Sequence, residues 1–257
     1  MKIVLIGAGN VATHLGVALK KAKHEILQVY SRSESSSREL SQKLRCKYTT
    51  DVKSIFAAAD LYIISISDHA IKEFLKYLSL KNKIIVHTSG SVPMKIFGKK
   101  FTNHGVIYPL QSFSKERNIR FNEVPLLVEG NNAATFSAIA SLARSVSPFV
   151  FEMSSADRKT VHLAAVIANN FSNHLFVQAE KILMKKNIPF PLLGPLMHET
   201  VIKAIKVTPK AAQTGPAKRG DAKIIEEHLA MLKNEPSLQK IYKLLSESIE
   251  QESGQRL

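Results

Sequence analysis

Three groups of residues in this chain of 257 have types and spacings that could do chemistry. The first is Gly7-Ala8-Gly9-Asn10-Val11-Ala12, which follows a β-rich run and opens a stretch with helical spacing. In that context Gly7 permits a tight turn, Gly9 lets a pyrophosphate approach the backbone, and Ala12 lets the helix lie close to the strand. Free N–H groups and the positive end of the helix dipole then face the phosphates. The second group, Ser31-Arg32-Ser33, ends the next β-rich run. An acid there would bind a ribose 2′-hydroxyl and repel a 2′-phosphate. A guanidinium flanked by hydroxyls receives a phosphate instead, so the expected cofactor is NADP(H). The third group is "DRKTVHLAAVIANNFSNHL". At about 100° per residue, Lys159, Asn169 and Asn173 share a helical face with His162. Hydride transfer needs one group that gives or takes a proton and others that orient the reacting atom. His162 is the first candidate for the proton, its side chain titrating near neutrality when unperturbed. Lys159 is the second, and Asn169 and Asn173 are the orienters. The competing reading makes His162 a satisfied core histidine.

Further polar residues stand where strands should end. "SISDHAI" places Ser65, Ser67 and Asp68 after a fourth strand, and "HTSGSV" places His87, Thr88 and Ser89 after a fifth. In open α/β sheets the ligand crevice lies beyond the carboxyl ends of the strands, so these residues are expected to line it. Tyr108, Gln111 and Ser112 in "YPLQSFS", and Thr214, Lys218 and Arg219 in "AQTGPAKRGD", are either substrate contacts or ordinary packing and connector residues. The chain offers no nucleophile triad, carboxylate pair or metal-ligand spacing, so no metal site is expected.

The elements that must hold these groups read as strands at residues 2–6, 25–30, 46–49, 61–66, 83–87, 105–108, 125–128 and 149–152. Helices lie between them, at 11–19, 36–44, 70–78 and 133–145. Strands apolar on both faces and alternating with helices imply a parallel sheet covered on both sides. From residue 154 onward no strand is evident. One long helix is expected over 155–186, capped by Ser154 or Ser155, followed by two or three more helices punctuated by prolines. The fold class is therefore α/β: a Rossmann-type doubly wound, mostly parallel sheet over 1–153, then an all-helical domain over 154–257. Asp221 is a plausible N-cap, and "QESGQRL" reads as a frayed tail.

Composition sets the outer limits. The net charge is +15, but the lysines are scattered and no aromatic residues interleave with them, which argues against a nucleic-acid surface. No apolar run approaches the ~20 residues that cross a bilayer. A strand starting at residue 2 leaves no room for a signal peptide, and a lone cysteine, Cys46, excludes an internal disulfide. These features fit a cytoplasmic protein.

"GAGNVATHL", "SRS", "ISISD", "HTSGS", "YPLQSFS", "HLAAVIANNFSNHL" and "QTGPAKRGD" together resemble an uncharacterised bacterial family. That family pairs a Rossmann-like domain with a C-terminal domain of unknown function and carries the label NADP oxidoreductase. The N-terminal half is also similar, more distantly, to pyrroline-5-carboxylate reductase and deazaflavin-dependent NADP reductase. The two-domain plan is similar to that of prephenate dehydrogenase and 6-phosphogluconate dehydrogenase. The resemblance implies that Gly7, Gly9, Asn10, Val11, Ser31, Arg32 and Ser67 contact the cofactor, and that the C-terminal helices pair two subunits as a homodimer and help close the site. One departure is plain. The β-hydroxyacid dehydrogenases place a lysine four residues before an asparagine on the long helix, and here Ala165 and Val166 hold the corresponding positions. The expected activity is hydride transfer to or from a small carbonyl, hydroxy or imine compound in an interdomain cleft. The alternative is a non-catalytic NADP(H)-binding sensor.

Overall fold

The structure is a computed structural model, and it describes residues 1–254. The chain forms two compact units, Met1–Asn170 and Phe171 onward. In the first, the strands are β1 (Lys2–Ile6), β2 (Glu25–Tyr30), β3 (Lys47–Thr49), β4 (Leu61–Ile64), β5 (Ile84–His87), β6 (Asn103–Pro109), β7 (Leu126–Gly130) and β8 (Val150–Glu152). They form one sheet of order β3-β2-β1-β4-β5-β6-β7-β8. Every neighbouring pair is parallel except β6 and β7. The helices are α1 (Asn10–Lys21), α2 (Glu34–Leu44), α3 (Asp68–Tyr77) and α4 (Ala133–Arg144).

Strand β1 shows why the central strands read as apolar throughout. Successive side chains point to opposite faces. Ile3 and Leu5 enter a core with Leu15, Leu19, Leu40 and Leu44 of α1 and α2. Val4 and Ile6 enter the core on the other face, with Ile71 and Leu75 of α3 and with Phe97 and Phe101. Each of these fully buried side chains contributes roughly 1.5–3 kcal/mol of transfer free energy. The central strands are thereby fixed between two layers, and their ends are left open.

The stretch expected as a single helix over 155–186 is divided. It runs as α5 (Ser155–Ala165), a π-helical turn at Val166–Phe171, and α6 (Ser172–Met184). The Ser154 side chain caps α5, accepting from the Asp157 N–H at 3.1 Å. The compact unit extends past the expected boundary at 153/154 because α5 is bonded to β7. The Ser155 N–H and hydroxyl both donate to Glu129, at 3.0 and 2.7 Å.

The second unit contains α6, α7 (Gly194–Val207), α10 (Ala222–Met231) and α11 (Pro236–Ser253), with the four-residue helices α8 (Pro209–Ala212) and α9 (Pro216–Arg219) between α7 and α10. Asp221 makes no cap bond. Its carboxylate instead pairs with Arg219 at 2.8 Å. Of the tail read as frayed, Gln251–Ser253 are helical and Gly254 closes α11 in the left-handed conformation. Residues 255–257 lie outside the described residues. No residue of α6 or α7 is buried, and among the described residues the buried apolar side chains of this unit are Ala217, Ile225 and Leu232. Among the described residues no helix is long and apolar enough to cross a membrane.

Candidate functional site

The chain passes outward from β1 to β2 and β3, then returns to β4 on the other side of β1. At that reversal the loops following the strands splay apart, the usual place for a crevice. A cavity of 910 Å³ opens there in the first unit. Its floor is the turn after β1, where Gly7, Gly9, Asn10 and Val11 all line the cavity. Gly7 has φ +117°, and a Cβ on it would lie 2.1 Å from the Ser65 carbonyl oxygen. The backbone itself thus excludes any side chain at this position. Its N–H donates to the Tyr30 carbonyl at 2.7 Å, tying β1 to β2.

Gly9 is the N-cap residue of α1. The first turn of that helix has neither a side-chain cap nor an acidic residue, whereas Ser33 and Asn132 cap α2 and α4. The N-terminal N–H groups of α1 therefore point into the cavity with their partial positive charge uncompensated. This is the arrangement an anionic pyrophosphate needs, and the residues present fit a dinucleotide. The Asn10 side chain donates to the Phe113 carbonyl at 2.8 Å and so ties the loop after β6 to this turn.

At the end of β2, Ser31, Arg32 and Ser33 line the cavity. Arg32 is exposed, and among the described residues no carboxylate pairs with it. The nearby acid Glu34 accepts a 3.4 Å hydrogen bond from the Tyr48 hydroxyl. The Ser33 hydroxyl serves the α2 N-terminus, accepting from the Ser36 N–H at 3.3 Å. Beyond β4 lie Ser65, Ser67 and Asp68, and beyond β5 lie Thr88 and Ser89. Thr88 donates to the Ser65 hydroxyl at 3.1 Å, and Asp68 accepts from Ser91 at 2.5 Å. The strand-end residues are thus locked to one another across β4 and β5.

His87 departs from its expected role. It is 0 % exposed and does not line the cavity. Its ring stacks on Phe97 at 5.5 Å, and its Nδ1 accepts from the Ser89 N–H at 3.2 Å. Burial, with the positive charge of Arg158 adding to it, pushes its pKa down to about 3. A β-strand alternates its faces, and His87 falls on the face that packs under Phe97.

Of the four residues expected to carry the chemistry, only His162 lines the cavity. Lys159 and Asn169 are exposed on the first unit away from it, and Asn173 is exposed on α6 of the second. The shared helical face assumed an unbroken α-helix, and the π turn removes that premise. The buried polar group on α5 is Arg158, 1 % exposed. Its guanidinium donates to Glu129 at 2.5 Å, to the Val92 carbonyl at 2.8 Å and to Ser155 at 3.2 Å. Its Nε has no partner among the described residues. These bonds join α5 to β7 and to the loop after β5, and His162 stands one turn further along the helix.

His162 meets two residues that local sequence spacing does not connect to it. The Tyr108 hydroxyl lies 3.0 Å from His162 Nδ1, and a Cβ on Gly90 would lie 2.7 Å from that nitrogen. Tyr30, Phe74, Tyr77 and His69 also line the cavity. Their positions follow from the strand order and the α3 face, which local sequence spacing does not encode. A second cavity, of 730 Å³, lies beside α1, lined by Lys21, Lys43, Lys115 and Arg117 among others. No parallel-strand end opens into it. Among the described residues, no three His, Cys, Asp or Glu side chains converge as a metal site would require.

Residues 1–111 match the model of a Rossmann-like domain, and residues 124–249 match DUF2520, a domain of unknown function. No curated protein matches the chain. Among solved structures, the "putative NADP oxidoreductase" of Bacteroides fragilis is 43% identical over 97% of this chain and 98% of its own, with a TM-score of 0.93. The 1-pyrroline-5-carboxylate reductase of Streptococcus pyogenes is 19% identical over 98% of each chain, with a TM-score of 0.64. An imine reductase of Myxococcus stipitatus in complex with NADP+ is 16% identical over 98% of this chain and 92% of its own, with a TM-score of 0.67. The last two likenesses are likenesses of fold.

Proposed function

Because the chain belongs to the family that joins a Rossmann-like domain to a DUF2520 domain, we propose that it is an NADP(H)-dependent oxidoreductase acting on a small carbonyl, hydroxy or imine compound. The observation that carries this reading is one cavity lined at once by the uncapped turn of α1, by Arg32 and by His162. Gly7, Gly9, Asn10 and Val11 hold the pyrophosphate, and Ser31, Arg32 and Ser33 hold the 2′-phosphate. Ser65, Ser67, Asp68, Thr88 and Ser89 flank the nicotinamide ribose. The bound nicotinamide supplies or accepts the hydride. His162 supplies or accepts the proton at the substrate heteroatom, as general acid or base.

The protein acts as a homodimer, paired through the helices of its second unit. Two of those helices bury no residue, and Leu196, Val201 and Ile205 on α7 are 65%, 57% and 80% exposed. A unit with so few buried apolar side chains does not offset its chain entropy alone. A second copy covers this face.

Turnover of a panel of carbonyl and imine compounds, followed by NADPH absorbance, tests the activity. His162→Ala is expected to lower turnover at least about a hundredfold, the usual contribution of a general acid or base. Unchanged turnover in that variant removes His162 from the proton role. Tight NADPH binding with no turnover across the panel favours the sensor reading, and the loss of Lys159 and Asn169 from the cavity is the observation in its favour.

A further inference from the structure

We propose that Tyr108 and Gly90 are positioning residues for the proton transfer: together they seat the His162 ring, and loss of either the hydroxyl or the bare backbone lets the ring leave its working orientation. This rests on reading the cavity as an oxidoreductase site. It holds whichever nitrogen of the ring is protonated.

His162 is only half-buried, so enclosure alone does not hold its ring. The hydrogen-bond partner of that ring among the described residues is the Tyr108 hydroxyl, 3.0 Å from Nδ1. The two rings meet edge to face, with centroids 5.8 Å apart and planes at 77°. Both rest on Gly90, which is buried. A Cβ there would lie 2.7 Å from His162 Nδ1, 2.9 Å from His162 Cγ and 2.7 Å from Tyr108 Cζ. Any side chain at this position would therefore push the two rings away. Gly90 has no positive φ, so its lack of a side chain serves the close approach and not a turn.

The seat is itself pinned. The Ser89 hydroxyl accepts from the Ser91 and Val92 N–H groups at 3.2 and 3.0 Å, which fixes the turn around Gly90. That turn is bonded to α5 twice more, by Arg158 donating to the Val92 carbonyl at 2.8 Å and by the Met94 N–H donating to the Ser155 hydroxyl at 2.9 Å. The ring is thus held by Tyr108 on β6, by Gly90 in the loop after β5, and by the anchored helix that carries it. A hydroxyl suits this place because it both donates and accepts. It donates to Nδ1 when that nitrogen is bare and accepts from it when it carries a proton. Burial, together with the nearby Asp68 carboxylate, raises the Tyr108 pKa above its ordinary 10, although the Arg158 charge opposes this. The hydroxyl therefore keeps its proton and both roles. The contact survives the gain and loss of a proton that a general acid or base undergoes in each cycle.

The test uses the full-length protein and the panel compound that the wild type turns over fastest. Tyr108→Phe keeps the ring and removes only the hydroxyl. It is expected to lower kcat at least about tenfold, on the scale of a misplaced catalytic group, with NADPH affinity and melting temperature unchanged. Gly90→Ala is expected to lower kcat by about the same factor. A tyrosine that only packs loses nothing on conversion to phenylalanine, so a wild-type kcat in Tyr108→Phe overturns the proposal. Relaxation of the ring 13Cε1 in histidine-labelled protein gives a readout free of turnover, with His162 assigned by loss of its signal in His162→Gln. The wild-type ring is expected to be as rigid as ordered backbone, with an order parameter of about 0.85, falling below about 0.6 in Tyr108→Phe. A mobile ring in the wild type, or equal order parameters in the two proteins, overturns the proposal. If no compound of the panel is turned over, or if His162→Ala matches the wild type, the oxidoreductase reading fails instead, and the relaxation result still decides whether the ring is held.

Discussion

At the scale of single residues, Arg32 and His87 illustrate opposite uses of charge. Arg32 is exposed, pairs with no carboxylate among the described residues and lines the cavity. If it binds the 2′-phosphate, Arg32→Ala removes a charge-assisted hydrogen bond of about 1.5–3 kcal/mol. NADPH affinity should then fall by roughly ten- to a hundredfold while NADH affinity is unchanged. Calorimetric titration of both cofactors measures this. His87 is buried neutral, with its pKa lowered to about 3 against 6.5 for the free group. Between those values the unfolded chain binds a proton that the folded chain refuses, so stability falls as pH drops from about 6.5 toward 3. The upper limit of that loss is on the order of 5 kcal/mol. His87→Asn offers an acceptor to the Ser89 N–H without the titration. Denaturant midpoints at pH 7 and pH 4 should drop less in this variant than in the wild type, and an equal drop would count against the account. That the α1 turn and residues 31–33 meet at one cavity could be read from the sequence because dinucleotide chemistry asks for particular side chains at fixed offsets from a recognisable strand. His87 was misread because nothing local says which face of a four-residue strand is covered.

At the scale of elements, the decisive one is α5. A single helix over 155–186 would put Lys159, Asn169 and Asn173 on one face with His162. The element is instead anchored by Arg158 and Ser155 on Glu129, and its regular spacing ends at the π turn. Arginine is seldom fully buried, and its partner lies 29 positions away in the chain, so sequence spacing could not reveal the pair. A similar separation hid the Tyr108 contact, whose partners are 54 positions apart. Glu129→Gln leaves the Arg158 charge buried without its counter-charge and should cost about 3–5 kcal/mol, read as a lower denaturant midpoint. Adding Arg158→Met to that variant should recover part of the loss, because the orphaned charge is gone. Additive losses would mean that the two side chains do not act as a pair. The sheet itself was readable almost strand by strand, because its central strands are apolar on both faces and short turns separate them from amphipathic helices.

At the scale of the whole molecule, the second unit is the part that sequence patterning described least well. Its long helices were visible, but the four-residue α8 and α9 were not, and α6 and α7 turn out to bury nothing. If a second copy covers them, light scattering coupled to size exclusion should give a dimer mass. Ile205→Glu, which places a charge where a side chain 80% exposed in the single chain would be covered, should shift that mass to the monomer. A wild-type monomer at micromolar concentration would contradict the pairing. On the proposed reading, the first unit's crevice at the reversal of strand order holds a nicotinamide dinucleotide carrying a 2′-phosphate. Isothermal titration of the purified protein with NADPH and with NADH tests this most directly. Saturable binding of NADPH at least about tenfold tighter than that of NADH is expected, and binding of neither cofactor would contradict the proposed reading.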